Sequence, residues 1–411
     1  MTMRKRNHLV ILLGAAVFVF TAPSLGRSDS LFRLFPEAQL NGFYGDNIPL
    51  RTTNEIGDFG STMVFGFYLD YTSAARYTSL HYDTFVQLFT HQTRLDRAGQ
   101  GQFVDFRDDE NISPTTRAHF NEVFYRDATA VTTVTTSDQS PQFNSVLALL
   151  LLANDQASVS QFEAQLQHDW TERWSSELSL HQTTFFNNNN NGNVSDDSFA
   201  QGVTTATDYH FSSRFSLGLG YRFYDWRFTF PGRPGEEAHW PFARFTWQAW
   251  KNLYFSGLAG VVVSHTQGQG DQVDVGGLGN IEYRFRQGTV NVSGGQEPSL
   301  TSAFGTVGNI RGVRGNVLYY ITPRLTASAG ASFYNASGTG FNGEFVSWGV
   351  GASQRVNKWL SVNTRFIQIR SNDNTSGQFL PSGVQSGEWA VGDYYIVGLA
   401  VSFEAFRWSW R

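Results

Sequence analysis

Past residue 35, apolar residues recur at every second position, and this period of two constrains the chain more than any other feature. In FSLGLGYRF, Phe215, Leu217, Leu219, Tyr221 and Phe223 alternate with Ser216, Gly218, Gly220 and Arg222. In LTASAGASF, Leu325, Ala327, Ala329, Ala331 and Phe333 alternate with Thr326, Ser328, Gly330 and Ser332. Near the C-terminus, Tyr395, Val397, Leu399, Val401 and Phe403 alternate with Ile396, Gly398, Ala400 and Ser402. A strand turns successive side chains to opposite faces, so each stretch reads as a strand with one apolar and one small or polar face. A soluble sandwich buries the apolar face in a core. A membrane barrel turns the same face to lipid and the other to its lumen. Alternation alone leaves both open.

The connections separate them. Short turns recur, most pairing a basic residue with an aromatic one: SAARY (73–77), YRDAT (125–129), TERW (171–174), SSRF (212–215), AWKN (249–252), FRQG (285–288), ITPR (321–324) and NKW (357–359). With Arg76, Asp127, Arg173, Arg214, Lys251, Gln287, Arg324 and Lys358 as markers, successive separations are 51, 46, 41, 37, 36, 37 and 34. Two strands and one longer loop fit each interval, so the chain is a hairpin repeat. Between the turns lie polar stretches such as NNNNNGNVSDDS (187–198), PGRPGEEAH (231–239), SGTGFNG (337–343) and SNDNTSGQFLPSGVQSG (371–387). Short turns at one end and long loops at the other is the asymmetry of an outer-membrane barrel. Tyr77, Trp174, Trp250, Tyr254, Tyr319 and Trp359, beside the short turns, are expected to form an aromatic girdle at headgroup level. Tyr44 is expected in a second girdle at the opposite rim. The reading is an all-β, transmembrane, antiparallel up-and-down barrel with short periplasmic turns and long extracellular loops. Eight turns imply eighteen strands; dropping YRDAT gives sixteen but leaves a 97-residue interval from Arg76 to Arg173.

Composition agrees. Aromatic residues are 15% of the chain and charged residues only 16%, where soluble proteins carry about a quarter charged residues. Residues 1–26 have the layout of a signal peptide: Arg4, Lys5 and Arg6, an apolar stretch from Leu9 to Phe20, then small residues at Ala22, Ser24 and Gly26. Residues 27–35 are read as a short periplasmic segment and 36–411 as a single barrel. Losing the three basic residues of the signal moves the formal charge from −5 to −8, which disfavours nucleic acid as a partner. There are no cysteines, hence no disulfide framework.

The opening YGDNIPL (44–50) followed by TNEIGDFG (53–60), with the later ITPRLTASAGASF (321–333), resembles the β-barrel porins of Gram-negative outer membranes. In that family an aromatic-Asp-Asp-Asn-apolar stretch precedes the second strand; this chain has Gly45 where an acid is usual. The resemblance runs loosely over residues 36–403. It implies an outer-membrane location and, since members often lie near exopolysaccharide export genes, a link to polysaccharide export. Outer-membrane barrels commonly end on an aromatic residue. This chain ends WSWR (408–411), which leaves Trp410 as the substitute signal for the barrel-assembly machinery.

Chemistry-bearing motifs are sparse. Gly338 to Gly343 fits GxGxxG, but it lies between two alternating strands rather than between a strand and a helix. The nine histidines show no zinc-binding spacing, and no GxSxG elbow is present. His81 and Asp83 share a strand face and resemble half of a catalytic pair, with no serine singled out. No cofactor and no resident metal are expected; Asp46 and Asp58, across the first hairpin, leave a rim cation as the one metal reading. The run from Val146 to Ala153, with Leu147, Leu149, Leu150, Leu151 and Leu152, is too short to span a bilayer. It either folds inward to plug or narrow the pore, or tops the next strand. On the polar face the first half offers Asp83, Glu163, Asp169 and Glu177, and later strands offer Arg222, Arg244, Arg284, Arg314 and Arg365. These nine are candidates for the pore lining, either as two opposed charged walls or as internal salt bridges. The expected function is passage of small polar or charged solutes, with no enzymatic activity. An exopolysaccharide export port is the alternative, and an outer-membrane hydrolase or structural barrel the second. Expected partners are outer-membrane lipid and lipopolysaccharide, the assembly machinery, and polysaccharide export components.

Overall fold

The computed structural model describes residues 30–46, 57–91, 97–128, 157–187, 198–228, 235–266, 270–301, 306–338, 341–373 and 389–410. Residues 1–29, which include the expected signal peptide, the apolar run 146–153, and Arg411 lie outside them. The first strands are β1 (Ser30–Gly45), β2 (Asp58–Thr72), β3 (Arg76–Phe89), β4 (Arg97–Ser113), β5 (Thr116–Ala128) and β6 (Ala157–Asp169). Then come β7 (Trp174–Asn187), β8 (Ser198–Ser212), β9 (Phe215–Phe228), β10 (Glu236–Trp250), β11 (Leu253–Thr266) and β12 (Gln272–Phe285). The last are β13 (Gly288–Thr301), β14 (Thr306–Thr322), β15 (Leu325–Gly338), β16 (Phe341–Arg355), β17 (Leu360–Asp373), β18 (Trp389–Ser402) and β19 (Phe406–Trp410).

From β1 to β18 every strand pairs antiparallel with its sequence neighbour, and β1 closes the ring against β18 and β19. Glu37 faces Ser402 while Leu34 faces Phe406, so the last stave takes four steps where β1 takes three. That single extra residue is a β-bulge, and β18 with β19 form one stave. The barrel therefore has eighteen staves. The ring has no free edge, so backbone donors and acceptors find their partners along its ladders, which a lipid environment demands. β1 begins at Ser30, so residues 30–35 belong to the wall rather than to a segment before it; Arg33 there grips Asp70 through two bonds of 2.9 and 2.8 Å.

The tight turns are 73–75, 114–115, 170–173, 213–214, 251–252, 286–287, 323–324 and 356–359. Seven coincide with those read from the sequence. The exception is YRDAT: Tyr125 to Ala128 lie at the opposite end of β5, and the turn is Pro114-Thr115. Its signal was ISPTTR (112–117), where proline supplies the φ a tight turn needs, but no aromatic residue adjoins it. The count survives because the mistaken marker still divides one interval into two hairpins. Connections at the other end are not uniformly long. Gly338 pairs with Phe341, so the GxGxxG stretch is the tip of a close hairpin rather than a loop.

Ladder parity assigns the two faces. Arg244 on β10 reaches Glu177 on β7 across two intervening strands, at 2.9 Å, which is achievable only on the concave side. Following directly opposed pairs around the ring puts Asn41, Thr62, Gln87, Ser179, Thr204, Arg222, Arg314, Arg365 and Ile396 on that inner face. The other face carries Leu219, Val273, Val275 and Val397, which are 72%, 71%, 66% and 59% exposed. The soluble-sandwich reading of the alternation is thereby excluded: the apolar set points away from the interior.

Aromatic side chains girdle the outer face. Near the tight turns, Trp174, Tyr209, Phe211 and Phe215 follow one another at centroid distances of 4.9, 4.8 and 5.6 Å. Phe285 continues the belt with Tyr283 and Tyr319, each at 6.0 Å, and Trp250 and Trp359 are exposed beside it. At the opposite rim Phe59, Tyr44, Tyr395, Phe366 and Trp348 form a second chain of contacts. Two expected girdle residues are not there. Tyr77 points inward and bonds Tyr68 at 2.5 Å; Tyr254 points inward under the Arg284 guanidinium, 4.9 Å away. Each shares its strand's inward parity, and proximity to a turn does not override parity.

Candidate functional site

The inner wall divides along the barrel axis. Towards the tight turns it is polar: Ser175, Glu177, Ser179, Asp208, Ser216, Arg244 and Thr246 on β7 to β10, then Ser256, Asn280, Asn291 and Ser293 on the strands that follow. Towards the opposite rim it is buried, apolar on β8 to β11 and mixed on β1 to β3, where Asn41, Thr62 and Gln87 are buried beside Phe43 and Phe85. Ala200, Trp226, Ala238, Trp240, Phe242 and Val262 form one packed panel on β8 to β11, with Trp240 and Ala238 fully buried. Phe43, Phe85, Ile369 and Tyr394 hold equivalent inward positions on β1, β3, β17 and β18. Glycines make this packing feasible. A Cβ at Gly276 would come within 2.7 Å of the Trp240 ring, so the indole lies flat across a neighbour that has no side chain.

All nine charged residues singled out in the sequence lie on the inner face, but they do not form two opposed walls. Arg244 donates to both Asp208 oxygens, at 2.9 and 2.5 Å, and to Glu177 at 2.9 Å. Gly218, between Asp208 and Arg244 in the ladder, leaves the space; a side chain there would collide with the Asp208 carboxylate. Arg284 donates to Glu282 on its own strand. Asp169 accepts from Arg117 at 2.8 Å, and Glu163 lies 3.8 Å from His181. Asp83 contacts His81 at 3.1 Å. One acid of the first half, Glu177, thus meets one arginine of the second, Arg244, because the curvature of the wall brings β7 within reach of β10 across β8 and β9. Asp208 was the missing member; its place was signalled by the alternation of Thr204, Ala206 and Asp208 with Val203, Thr205 and Thr207.

Arg222 is held differently. Its guanidinium donates to Thr204 at 3.0 Å and lies 5.2 Å from the Trp240 ring centre and 5.9 Å from those of Tyr224 and Phe242. A cation over aromatic faces is stabilised by their quadrupoles. Arg222, Arg244 and Arg314 line a cavity of about 880 Å³ together with Glu163, Glu177, His181, Asp208 and Glu297. Tyr224, Trp226 and Tyr334 supply aromatic surface to the same cavity. Arg365 lies inward on a different sector of the wall, across the ladders from Gly351 and Ile396.

At the rim, the Asp46 carboxylate accepts from the Asp393 backbone N–H at 2.7 Å, and Asp58 accepts from the backbone of Phe59 and His91 and contacts the His91 ring at 2.9 Å. The two acids are each engaged in strand-end hydrogen bonds rather than turned toward each other. The apolar run Val146, Leu147, Leu149, Leu150, Leu151 and Leu152, read as a plug, lies outside the described residues.

No protein-family model and no curated relative matches the sequence. Among solved structures, the chain is similar to OccK2 (OpdF) of Pseudomonas aeruginosa, with TM-score 0.46 and 9% identity over 91% of this chain and 98% of that one. It is similar to the OpdK protein of Pseudomonas aeruginosa solved with vanillate, with TM-score 0.42 and 11% identity over 92% and 99%. It is also similar to the FrpB iron transporter of Neisseria meningitidis, with TM-score 0.42 and 8% identity over 90% and 81%. Identities this low transfer no residue role to this chain.

Proposed function

We propose that the chain is an outer-membrane channel that passes small polar or charged solutes. The observation that carries this reading is a closed ring with an apolar, aromatic-belted outside and an ionised inside. The outer face suits lipid, the paired backbone suits a bilayer, and a barrel of this strand number leaves room for an aqueous path. The cavity around Arg222, Arg244 and Arg314 provides charge to contact a solute; pairing with Glu177 and Asp208 fixes Arg244 in place, and Thr204 holds Arg222. The aromatic belts would meet lipid and lipopolysaccharide, and the bulged last stave would meet the assembly machinery.

The test is electrical. Purified barrel reconstituted into a planar bilayer should give single-channel steps, with a reversal potential displaced from zero in a salt gradient. No current at any voltage would overturn the proposal. The second reading, a port for a secreted polysaccharide, draws support from Tyr224 and Tyr334, partly buried aromatic residues in the cavity wall that offer flat surface to sugar rings. Current blocked by an oligosaccharide but not by small ions or monosaccharides would favour that port.

A further inference from the structure

We propose that Glu37, His81 and Asp83 bind one divalent transition-metal ion on the inner wall, in a sector away from the arginine-lined cavity. The three residues come from β1 and β3 and meet over β2. Their ligand atoms all lie within 4.8 Å of one another. The site is assembled by parity and by one absent side chain. Glu37, Gly66 and Asp83 stand in a single row across the first three strands, and His81 stands in the adjacent row beside Tyr68. A Cβ on Gly66 would collide with Asp83 Oδ1, so the carboxylate occupies the place where a side chain would have stood. Without that space Glu37 and His81 could not meet across β2.

The contacts within the cluster are those of a metal site rather than of an ordinary ion pair. Both carboxylates converge on the same ring nitrogen: Nε2 of His81 contacts Glu37 Oε1 and lies 3.1 Å from Asp83 Oδ2. One imidazole nitrogen presents a single N–H or a single lone pair, and it cannot serve two carboxylates with good geometry. An ion at that point can, with about 2.0–2.2 Å to nitrogen and to each oxygen. The second observation is independent of these distances. Asp83 is more than nine-tenths buried, yet its Oδ1 has no hydrogen-bond partner among the described residues. A buried carboxylate oxygen left unpartnered beside a second carboxylate is costly unless a cation completes it.

Charge points the same way. Asp105 stands directly opposite His81 in the next ladder, adding a third carboxylate to the patch. Among the described residues none of the three acids pairs with a lysine or arginine; Arg107, two positions from Asp105, is taken by Asp109. A divalent ion would balance what one imidazolium cannot. One imidazole with two carboxylates suits zinc, manganese, iron, cobalt or nickel in the divalent state better than calcium or magnesium, which prefer all-oxygen sites. The ring is already oriented: Phe103 packs edge-on against it at 5.2 Å and Tyr68 at 6.2 Å. Glu37 and His81 remain about one-third exposed, which leaves an entry path from the lumen.

The experiment reads bound metal, not current, so its result stands whether or not the barrel conducts. Refolded barrel, checked by heat-modifiable gel migration, is titrated with Co²⁺ and then with Zn²⁺. Wild type should show one equivalent of Co²⁺ with a ligand-field absorption band that Zn²⁺ abolishes. His81→Ala should lose the band. Asp83→Asn and Glu37→Gln should each weaken Co²⁺ binding at least tenfold, and His81→Gln serves in place of the alanine variant if that one does not fold. His265→Ala, which removes an exposed histidine paired with Asp271, should leave binding unchanged. A wild type that shows no ligand-field band at one equivalent of Co²⁺, or a band that persists in His81→Ala and His81→Gln, would overturn the site.

Discussion

The inward positions near the tight turns and those near the opposite rim belong to the same strands and obey the same period of two, yet they do different work. On β10 alone, Ala238 and Trp240 are fully buried, while Thr246 is exposed and Arg244 sits half-buried in an ion-pair network. On β9, Trp226 is buried and Ser216 shares a hydrogen bond of 2.5 Å with Thr246. On β8 to β11 the rim end of the inner wall is packed like a protein core and contributes stability. The tight-turn end of the same strands places charge along a cavity. A barrel of this kind does not need a soluble domain to hold a core; it can carry one on its own inner face.

The largest effect should come from breaking the packed half. Trp240→Ala removes a fully buried indole from the panel and should cost about 3–5 kcal/mol of unfolding free energy, measured by denaturant titration in detergent micelles. A loss below 1 kcal/mol would mean that the panel is not a core. Breaking the polar half should cost less and show differently. Arg244→Met leaves Glu177 and Asp208 without their cation and should cost about 1–3 kcal/mol, since the group is partly solvated. It should also move the reversal potential toward cation selectivity, and adding Glu177→Gln and Asp208→Asn should restore both readouts. On the outer face, Trp174→Ala removes one ring contact with Tyr209 and should cost about 1 kcal/mol. Neutralising Arg222 and Arg284 together should leave stability least affected while changing ion selectivity. Unchanged reversal potentials would reject a functional role for these two arginines.

The sequence was most legible where one strand's own pattern settles the matter. Leu217, Leu219 and Tyr221 face outward and Ser216, Gly218 and Arg222 inward, as their alternation requires. The misjudged girdle residues show the same rule from the other side. Tyr77 shares parity with Ser79, His81 and Asp83, so its inward direction was present in the pattern and was obscured by its closeness to a turn. The second tight turn was missed for a different reason: Pro114 was a turn signal without the aromatic neighbour that marks most of the others. Burial along the axis was not legible, because Trp226 and Tyr224 have the same parity and similar chemistry and differ in burial only through what packs against them.

By itself the sequence determined the period of two, the number of hairpins, the face on which each charge stands, and the placement of both ends of the wall at the tight-turn end. These are local properties: pleat and turn chemistry act over a few residues, and antiparallel neighbours in sequence become neighbours in space. Only the tertiary structure decided which inward groups meet. Arg244 finds Glu177 across two strands, and Glu37 finds His81 across one, because curvature and closure bring inward side chains of non-adjacent strands together. No single strand's alternation contains that information. It arises when eighteen staves close and Gly66 and Gly218 leave the gaps through which their neighbours reach.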